Sequence, residues 1–523
     1  MMRRRSLFAM GANAALAGSV PAGAAVRPAR PGYVAGEKTW LFFDLWKFDG
    51  CTGVKLRQGQ PRYQPEATYE DPLMASFSTW PLVYREGGQW RMLYTAKWQP
   101  YTLLTAVTAD GVHWRPDAHP EIQPPGAEKL APHHLFTLPS GSGGIPYLDP
   151  QAADGNRFRI YAIQHGEPAR ARAASNPRSA FHKLAASGAA AKRYFVDHLT
   201  LVSRDGLRWK ADYDAVWSQP GWYPEPPVSA FYNQKLGLHT MVSRTGHGER
   251  RLTIQDSADA RAWSGPELLL QPDALDEPLV QFYGMPVVPY EGHFVGLLWH
   301  FHNGDSARLG GFNHNVGPLQ CFLAYSYDGI RFSRGLRTPF IPLNAPGEPG
   351  CGVIQTSCLV DAGDELRIYS SACRRLHGMS DRAAGHIHIL LHTLRRDGFQ
   401  YLESTGNWGT VLSKPITLFA PKLTVNAAAP QGEVRFQLTD LESRPIPGFT
   451  FEDCVPLVDR DDLRWEVKWK GSTAEVLRKP IRLEVQMRHA RLYAVRGEFH
   501  FIDAQDWHML SDGHEIDPRW FDI

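Results

Sequence analysis

Apolar and polar positions alternate with period two along most of the chain, in short runs broken by turn-forming residues, which predicts strands rather than helices. The runs 103–108, 198–203, 252–257, 321–326 and 388–394 alternate in this way. Each follows another such run, at 90–96, 158–164, 236–242, 294–300 and 366–371. Behind each pair comes the pattern Asp-Gly-x-x-aromatic: Asp110-Gly111 to Trp114, Asp205-Gly206 to Trp209, a weaker Asp259-Ala260 to Trp263, Asp328-Gly329 to Phe332, and Asp397-Gly398 to Tyr401. Asp-Gly suits a tight turn, because Asp accepts from the turn's own amides and Gly takes positive φ. The aromatic then starts an outer strand.

One such turn is an ordinary hairpin, but five with two strands ahead of each form a repeat. The pattern predicts an all-β protein in which a five-bladed β-propeller over 38–406, each blade a four-stranded antiparallel sheet, is followed by a C-terminal antiparallel β-sandwich over 407–523. In the closing region Trp465, Val467 and Trp469 alternate with Glu466 and Lys468, giving one buried and one wet face. The longest interval between turns contains an Ala-, Arg- and Ser-rich stretch at 166–193, expected as a short helix or a loop excursion, with a lid as the alternative.

The 523 residues carry 56 Lys+Arg against 54 Asp+Glu, a formal net charge of +2, so no electrostatic footprint for nucleic acid or anionic lipid exists. Forty-seven Gly and 40 Pro suit many short strands joined by turns. Six cysteines without a C-x-x-C pair exclude a disulfide scaffold and a zinc ribbon, leaving open a bond among Cys351, Cys358, Cys321 and Cys373 after export. Residues 1–25 read as a leader: Arg3-Arg4-Arg5, a mildly apolar run to Val20, and the small residues 21–25 as a cleavage site. The twin arginines resemble a twin-arginine export signal, which implies release to the periplasm or beyond, with no membrane association after cleavage.

In a propeller the loops leading into the innermost strands line one mouth. Here these are 69–80, 131–145, 221–229, 276–286 and 346–357. They bring carboxylates and aromatics together, the chemistry of a sugar site: ring faces stack on sugar C–H groups while acids bind hydroxyls or move protons. Glycoside hydrolysis needs two carboxyl groups, one protonated and one ionised. Asp71 is expected as base or nucleophile and Glu225 as general acid, with Glu277 next and Asp44, on the segment entering the first blade, as a further candidate. Expected substrate contacts are Trp80, His133, His134, Trp222, Tyr283, Trp299, His300, His302, Asn303, Gln355 and Arg374. His300 and His302 share a strand face, but without a third ligand sugar hydroxyls are preferred to a metal, and no cofactor is expected. Arg374-Arg375 with His377 could meet a carboxylated or sulfated sugar. Phosphate-loop, G-x-S-x-G and H-E-x-x-H patterns are absent.

The opening Leu41-Phe42-Phe43-Asp44, the closing Lys422 to Asn426 and Ile446 to Phe449, and the five turns together resemble the five-bladed propeller glycoside hydrolases of families 32, 43, 62, 68 and 117, most of all the family-32-like secreted proteins. The resemblance implies three site acids, one each on blades one to three. Asp71, in Glu70-Asp71-Pro72, is similar in position to the first and Glu225 to the third. The second, in an Arg-Asp-Pro, has no counterpart; His133-His134 stands there instead. The implied activity is hydrolysis of an oligo- or polysaccharide, with a non-catalytic carbohydrate-binding propeller as the alternative.

Overall fold

The computed structural model describes residues 36–516 apart from 98, 126, 180, 188–194, 215–216, 218–223, 246–248, 304–315 and 380–385. The expected leader lies outside the described residues. The protein is all-β, with curled sheets of propeller type and three α-helices among the described residues, Gly166–Ser175, His182–Ala186 and Ala504–Ser511.

Five antiparallel meanders follow one another. Sheet I runs Leu82–Glu86, Gln89–Lys97 and Tyr101–Thr108, and its last strand pairs with both Arg115–Pro116 and His134–Leu138. Sheet II has the short pieces Gly141–Gly143 and Tyr147–Leu148 on Phe158–His165, then Val196–Ser203 and Trp209–Asp212. Sheet III is Pro224–Asn233, Leu238–Thr245, Leu252–Ser257 and Glu267–Leu270. Sheet IV holds Val280–Gly284 and Val287–Tyr290 on His293–His302, then Leu319–Ser326 and Ser333–Ile341. Sheet V is Val353–Asp361, Glu365–Cys373 and Ile387–Arg395, joined to sheet IV by one parallel bridge, Leu319 to Val353.

The alternating runs form these sheets because each buries one side-chain row against the sheet before it and the other against the sheet after it. Leu103, Phe158, Leu201 and Trp209 fill the space between I and II. Tyr161, Met241 and Trp263 do so between II and III, Phe231, Phe282 and Phe294 between III and IV, and Leu297, Ile354 and Ile368 between IV and V. The series returns to its start with Trp90, Met92, Tyr369 and Ile389 between V and I. Each fully buried large apolar side chain contributes about 1.5–3 kcal/mol.

Four of the five repeated turns share one construction. Asp110, Asp205, Asp259 and Asp328 each accept the amides two and three residues on, and each is bonded by a Ser or Thr hydroxyl two residues before. Gly111, Gly206 and Gly329 take φ of 76°, 76° and 75°, which favours glycine there.

The fifth copy differs. Asp397 itself takes the positive φ, 64°, and its buried carboxylate accepts from Tyr290, Asn426 and Arg496. The strand that follows, Gln400–Ser404, does not complete sheet V, as the repeat predicts, but pairs with Ala490–Phe501 and Lys55–Gln58. The outer position of sheet V is taken by Arg62–Tyr63, from the opposite end of the chain.

The closing region forms one hydrogen-bonded sheet of nine strands, which also takes in Lys38–Leu41, Phe48–Thr52 and Lys55–Gln58. The expected boundary at 406/407 cuts through this sheet, because strands from both ends of the chain share its ladder. Ile416–Thr439 belongs to both halves: its first part pairs with Ala490–Phe501 and its second with Arg482–Arg488. The halves enclose one core that includes Trp40, Phe42, Val425, Phe436, Leu483 and Val495. No disulfide joins the cysteines. Among the described residues no helix is long and apolar enough to cross a membrane.

Candidate functional site

The two ends of the meanders are unlike. At one end lie the tight Asp turns. At the other lie the connections between second and third strands, which are long in sheet II (166–195), sheet IV (303–318) and sheet V (374–386). Long connections on a rigid scaffold are where binding groups collect. Where described, the stretch 166–193 carries the two helices Gly166–Ser175 and His182–Ala186. Helix Gly166–Ser175 is tied down at its base, Arg172 meeting Asp197 at 3.0 Å and Ser179 donating to the same carboxylate at 2.8 Å.

At this end, side chains from three sheets meet. Glu225 and Arg244 are direct cross-strand partners in sheet III, and the Arg244 guanidinium lies 2.8 Å from the Glu225 carboxylate. Arg250, at the far side of the same connection, donates to Gln281 of sheet IV at 2.5 Å. Both guanidiniums lie over the ring of Tyr283, at 4.4 and 5.3 Å from its centre. The Tyr283 hydroxyl is 2.8 Å from His377 Nε2, just beyond the end of the second strand of sheet V. His377 in turn packs edge-on against Phe77, on the segment leading into sheet I. Sheet II adds His165, bonded to Ser142 at 3.2 Å; burial lowers its pKa while the charge of Glu225 raises it. Arg244, Arg250 and Glu225 are 4%, 2% and 8% exposed, so the polar cluster is nine-tenths out of water.

A second cluster lies where the segment before sheet I passes sheet V. Asp71 Oδ2 accepts from Tyr94 at 2.6 Å and from His133 Nε2 at 2.7 Å, and Oδ1 accepts the Leu73 amide at 2.8 Å. Tyr69 bonds Tyr94 at 3.0 Å. Burial works against the charge on Asp71, but these donors outweigh it and hold its carboxyl below the usual carboxylate range. Burial, aided by the Asp71 charge, pushes the Tyr94 phenol well up, so it stays a donor. Beside this cluster Glu70 reaches His388 at 2.8 Å.

The remaining expected residues divide. Glu277, at the start of sheet IV, is exposed and 3.3 Å from His302. His300 shares that strand face but is enclosed by Phe282, Phe322 and Arg334; burial, then Arg334, depress its pKa to about 4. Asn303 is buried, with its amide on Leu279. Arg374 reaches the Gly347 carbonyl at 3.2 Å. Trp222 lies outside the described residues.

Five expectations are corrected. Trp80 and Trp299 are 1% and 0% exposed, their indole N–H groups held by Gln355 and the Thr356 carbonyl at 2.8 Å, so they are core and offer no ring face to a sugar. Gln355, fully buried as the Trp80 partner, is structural for the same reason. His134 is 0% exposed and spent on Thr137 and the Leu130 amide; it opens the edge strand of sheet I rather than leading into sheet II. Asp44 accepts from Tyr325 and Tyr327 at the opposite end of sheet IV, because the strand before it belongs to the closing sheet.

Arg244, Arg250, His165 and the tyrosines around Asp71 were not expected. The available signal was position: Arg244 ends the second strand of its sheet, as Arg374 and Arg375 follow theirs. Among the described residues one grouping, His500, Asp503 and Asp506, has metal-ligand spacing, with ligand atoms within 4.8 Å of one another. Asp503 and Asp506 there form the capping box of helix Ala504–Ser511.

No family model matches the chain, and no curated protein does. Solved structures similar to it include an N-acetylgalactosamine deacetylase from F. plautii in complex with blood group B trisaccharide, at 15% identity, with 66% of this chain and 95% of that one covered and a TM-score of 0.39. A glycoside hydrolase family 32 β-fructofuranosidase from Bombyx mori is similar over 84% of this chain and 95% of its own, at 10% identity and a TM-score of 0.37. An α-L-arabinofuranosidase from Podospora anserina, in complex with cellotriose, covers 64% and 97%, at 10% identity and a TM-score of 0.37. Glycoside hydrolases are thus among the solved structures that this chain resembles.

Proposed function

We propose that the five meanders close a five-bladed propeller carrying a C-terminal β-sandwich, and that the protein is an exported glycoside hydrolase acting at the mouth around Glu225. One observation carries this: Glu225, Arg244 and Arg250 of sheet III, Gln281 and Tyr283 of sheet IV and His377 beside sheet V converge at the end that bears the long connections. Side chains so far apart in sequence meet there because the innermost strands crowd together, and the groups suit a polyhydroxylated ligand.

Hydrolysis needs a proton delivered to the leaving oxygen and a carboxylate that meets the anomeric carbon or its attacking water. Glu225 is the carboxyl at the convergence and takes the proton-transfer role. Asp71, held ionised by His133 and Tyr94, is the second carboxylate on that end of the fold. A second reading, a propeller that binds sugar without turnover, is favoured by the saturation of Asp71: donors occupy both oxygens and its side chain is 1% exposed.

Screening plant and marine polysaccharides for released reducing ends, with the wild type, Glu225→Gln and Asp71→Asn, separates the two. Turnover by the wild type, lost in Glu225→Gln with sugar binding retained, supports the hydrolase. Binding without turnover in all three supports the second reading, and undiminished turnover in both variants refutes the site.

A further inference from the structure

We infer that a second glycan-binding site lies in the cleft between sheet V and the closing sheet, and that it holds a short neutral stretch of polysaccharide. The cleft has a volume of about 530 Å³, inside the range of about 300–1,000 Å³ typical of small-molecule sites. Arg395 ends the third strand of sheet V, Arg62 sits on the edge strand beside it, and Tyr401 and Tyr493 come from the closing sheet. Arg395 and Tyr401 flank the fifth turn, so the cleft lies at the end of the meanders opposite the mouth and shares no residue with the convergence around Glu225.

Its walls are held from outside. Arg395 lies over the Tyr493 ring at 4.6 Å and is tied to Asn426 at 2.9 Å and Asp461 at 2.6 Å. Arg491 lies over the Tyr401 ring at 5.7 Å and donates to Glu403 at 3.1 Å. The two tyrosine rings pack on each other, their centres 5.1 Å apart. Both guanidiniums have their carboxylates, so this lining does not call for an anion. What remains open is a mixed set. Among the described residues the exposed Gln60 amide and the Tyr401 hydroxyl have no hydrogen-bond partner. The exposed Arg62 guanidinium has only a 3.5 Å contact to Gln64, and the Glu365 carboxylate accepts one bond, from Arg367 at 3.1 Å. A sugar hydroxyl both donates and accepts, so neighbouring hydroxyls on one ring suit amide, phenol, guanidinium and carboxylate together. Walls fixed before the ligand arrives also lose little freedom on binding. The sugar class follows from this lining alone; that its source is a polysaccharide rests on the function proposed above. A chain held here stays close to the protein without entering the chemistry at Glu225.

The experiment titrates the full-length wild type and Arg62→Ala/Tyr401→Phe with four trisaccharides, cellotriose, xylotriose, arabinotriose and kestose, by calorimetry. Both proteins keep the mouth intact, so a difference between them belongs to the cleft. At least one trisaccharide is expected to bind the wild type and to lose about 10-fold or more in affinity in the variant, the effect of two lost hydrogen bonds. Should the double variant melt early, Gln60→Ala, on the exposed connecting segment, is expected to weaken the same trisaccharide by about 2- to 10-fold. Equal binding by wild type and variants overturns the inference and leaves the mouth untouched, as does failure of all four trisaccharides to bind while the polysaccharide screen shows turnover. A cleft difference with no turnover on any polysaccharide upholds the site and overturns the hydrolase reading alone.

Discussion

Glu225 and Arg244 face each other across the first two strands of sheet III, 2.8 Å apart and nearly sealed from water. Removing one member of a buried pair strands the other, at a cost of about 3–5 kcal/mol, whereas a neutral isostere that keeps the hydrogen bond costs less. Glu225→Ala is therefore expected to lower the unfolding midpoint in urea most, and Glu225→Gln, which keeps an acceptor for Arg244 but not the charge, by less. With the wild-type activity in hand, Glu225→Gln is expected to lose about 10²–10⁴-fold in kcat, the range of a proton-transfer group.

Asp71 makes a prediction of the opposite kind. Its folded pKa lies below the unfolded value, so its contribution to stability is fully present above about pH 4 and is lost as pH falls through the folded value. Asp71→Asn removes that loss and flattens the acid limb of the stability profile. Tyr94→Phe leaves the carboxylate one donor short and is expected to cost about 1–3 kcal/mol at pH 7, measured by urea unfolding.

Three histidines steepen the limb at higher pH. Burial lowers His392 and His300 to about 4 and His293 to about 3, while an unfolded histidine titrates near 6.5. Each is neutral when folded, so its share of stability is complete above about pH 6.5 and drains as pH drops toward the folded value. The slope is about 1.4 kcal/mol per pH unit per histidine. His392→Phe is expected to reduce the fall in stability between pH 6.5 and 4; an unchanged fall contradicts this.

The junction between the meanders and the closing sheet hangs on another ion pair. Arg496 meets Asp397 at 2.5 Å with both side chains 0% exposed, and Tyr290 and Asn426 complete the carboxylate's partners. Asp397→Ala is expected to destabilise by about 3–5 kcal/mol, whereas the same change at exposed Asp110 costs far less. Comparable unfolding midpoints for the two variants would contradict the distinction drawn between the fifth turn and the other four.

That distinction also marks how far the linear pattern carries. Turns at Asp110, Asp205, Asp259 and Asp328 are legible because every bond in them is local, an Asp with its own next residues and a hydroxyl two before. The fifth copy has Arg395 where the others have Ser or Thr, a difference visible in the sequence but meaningful only once the strand after it is seen to leave sheet V. Arg62–Tyr63 as the closing strand was not legible, since two residues carry no periodicity. At the site, Glu225 and Tyr283 stood out as polar groups where innermost strands begin. Trp80, beside a strand start, and Trp299, in the polar-aromatic run from Trp299 to Asn303, stood out as well and are core, because a tryptophan among polar groups serves packing and stacking equally well in a linear pattern. Arg244 and Arg250 meet Tyr283 only through the contact between sheets III and IV.

The central claim is that a sugar occupies the convergence around Glu225. Its most direct measurement is a crystal structure of Glu225→Gln soaked with an oligosaccharide that the wild type binds. The account predicts density for a sugar within hydrogen-bonding distance of Arg244 or Arg250 and close to residue 225. Density confined to the closing sheet or to the end that carries the Asp turns, with the convergence empty, would contradict it.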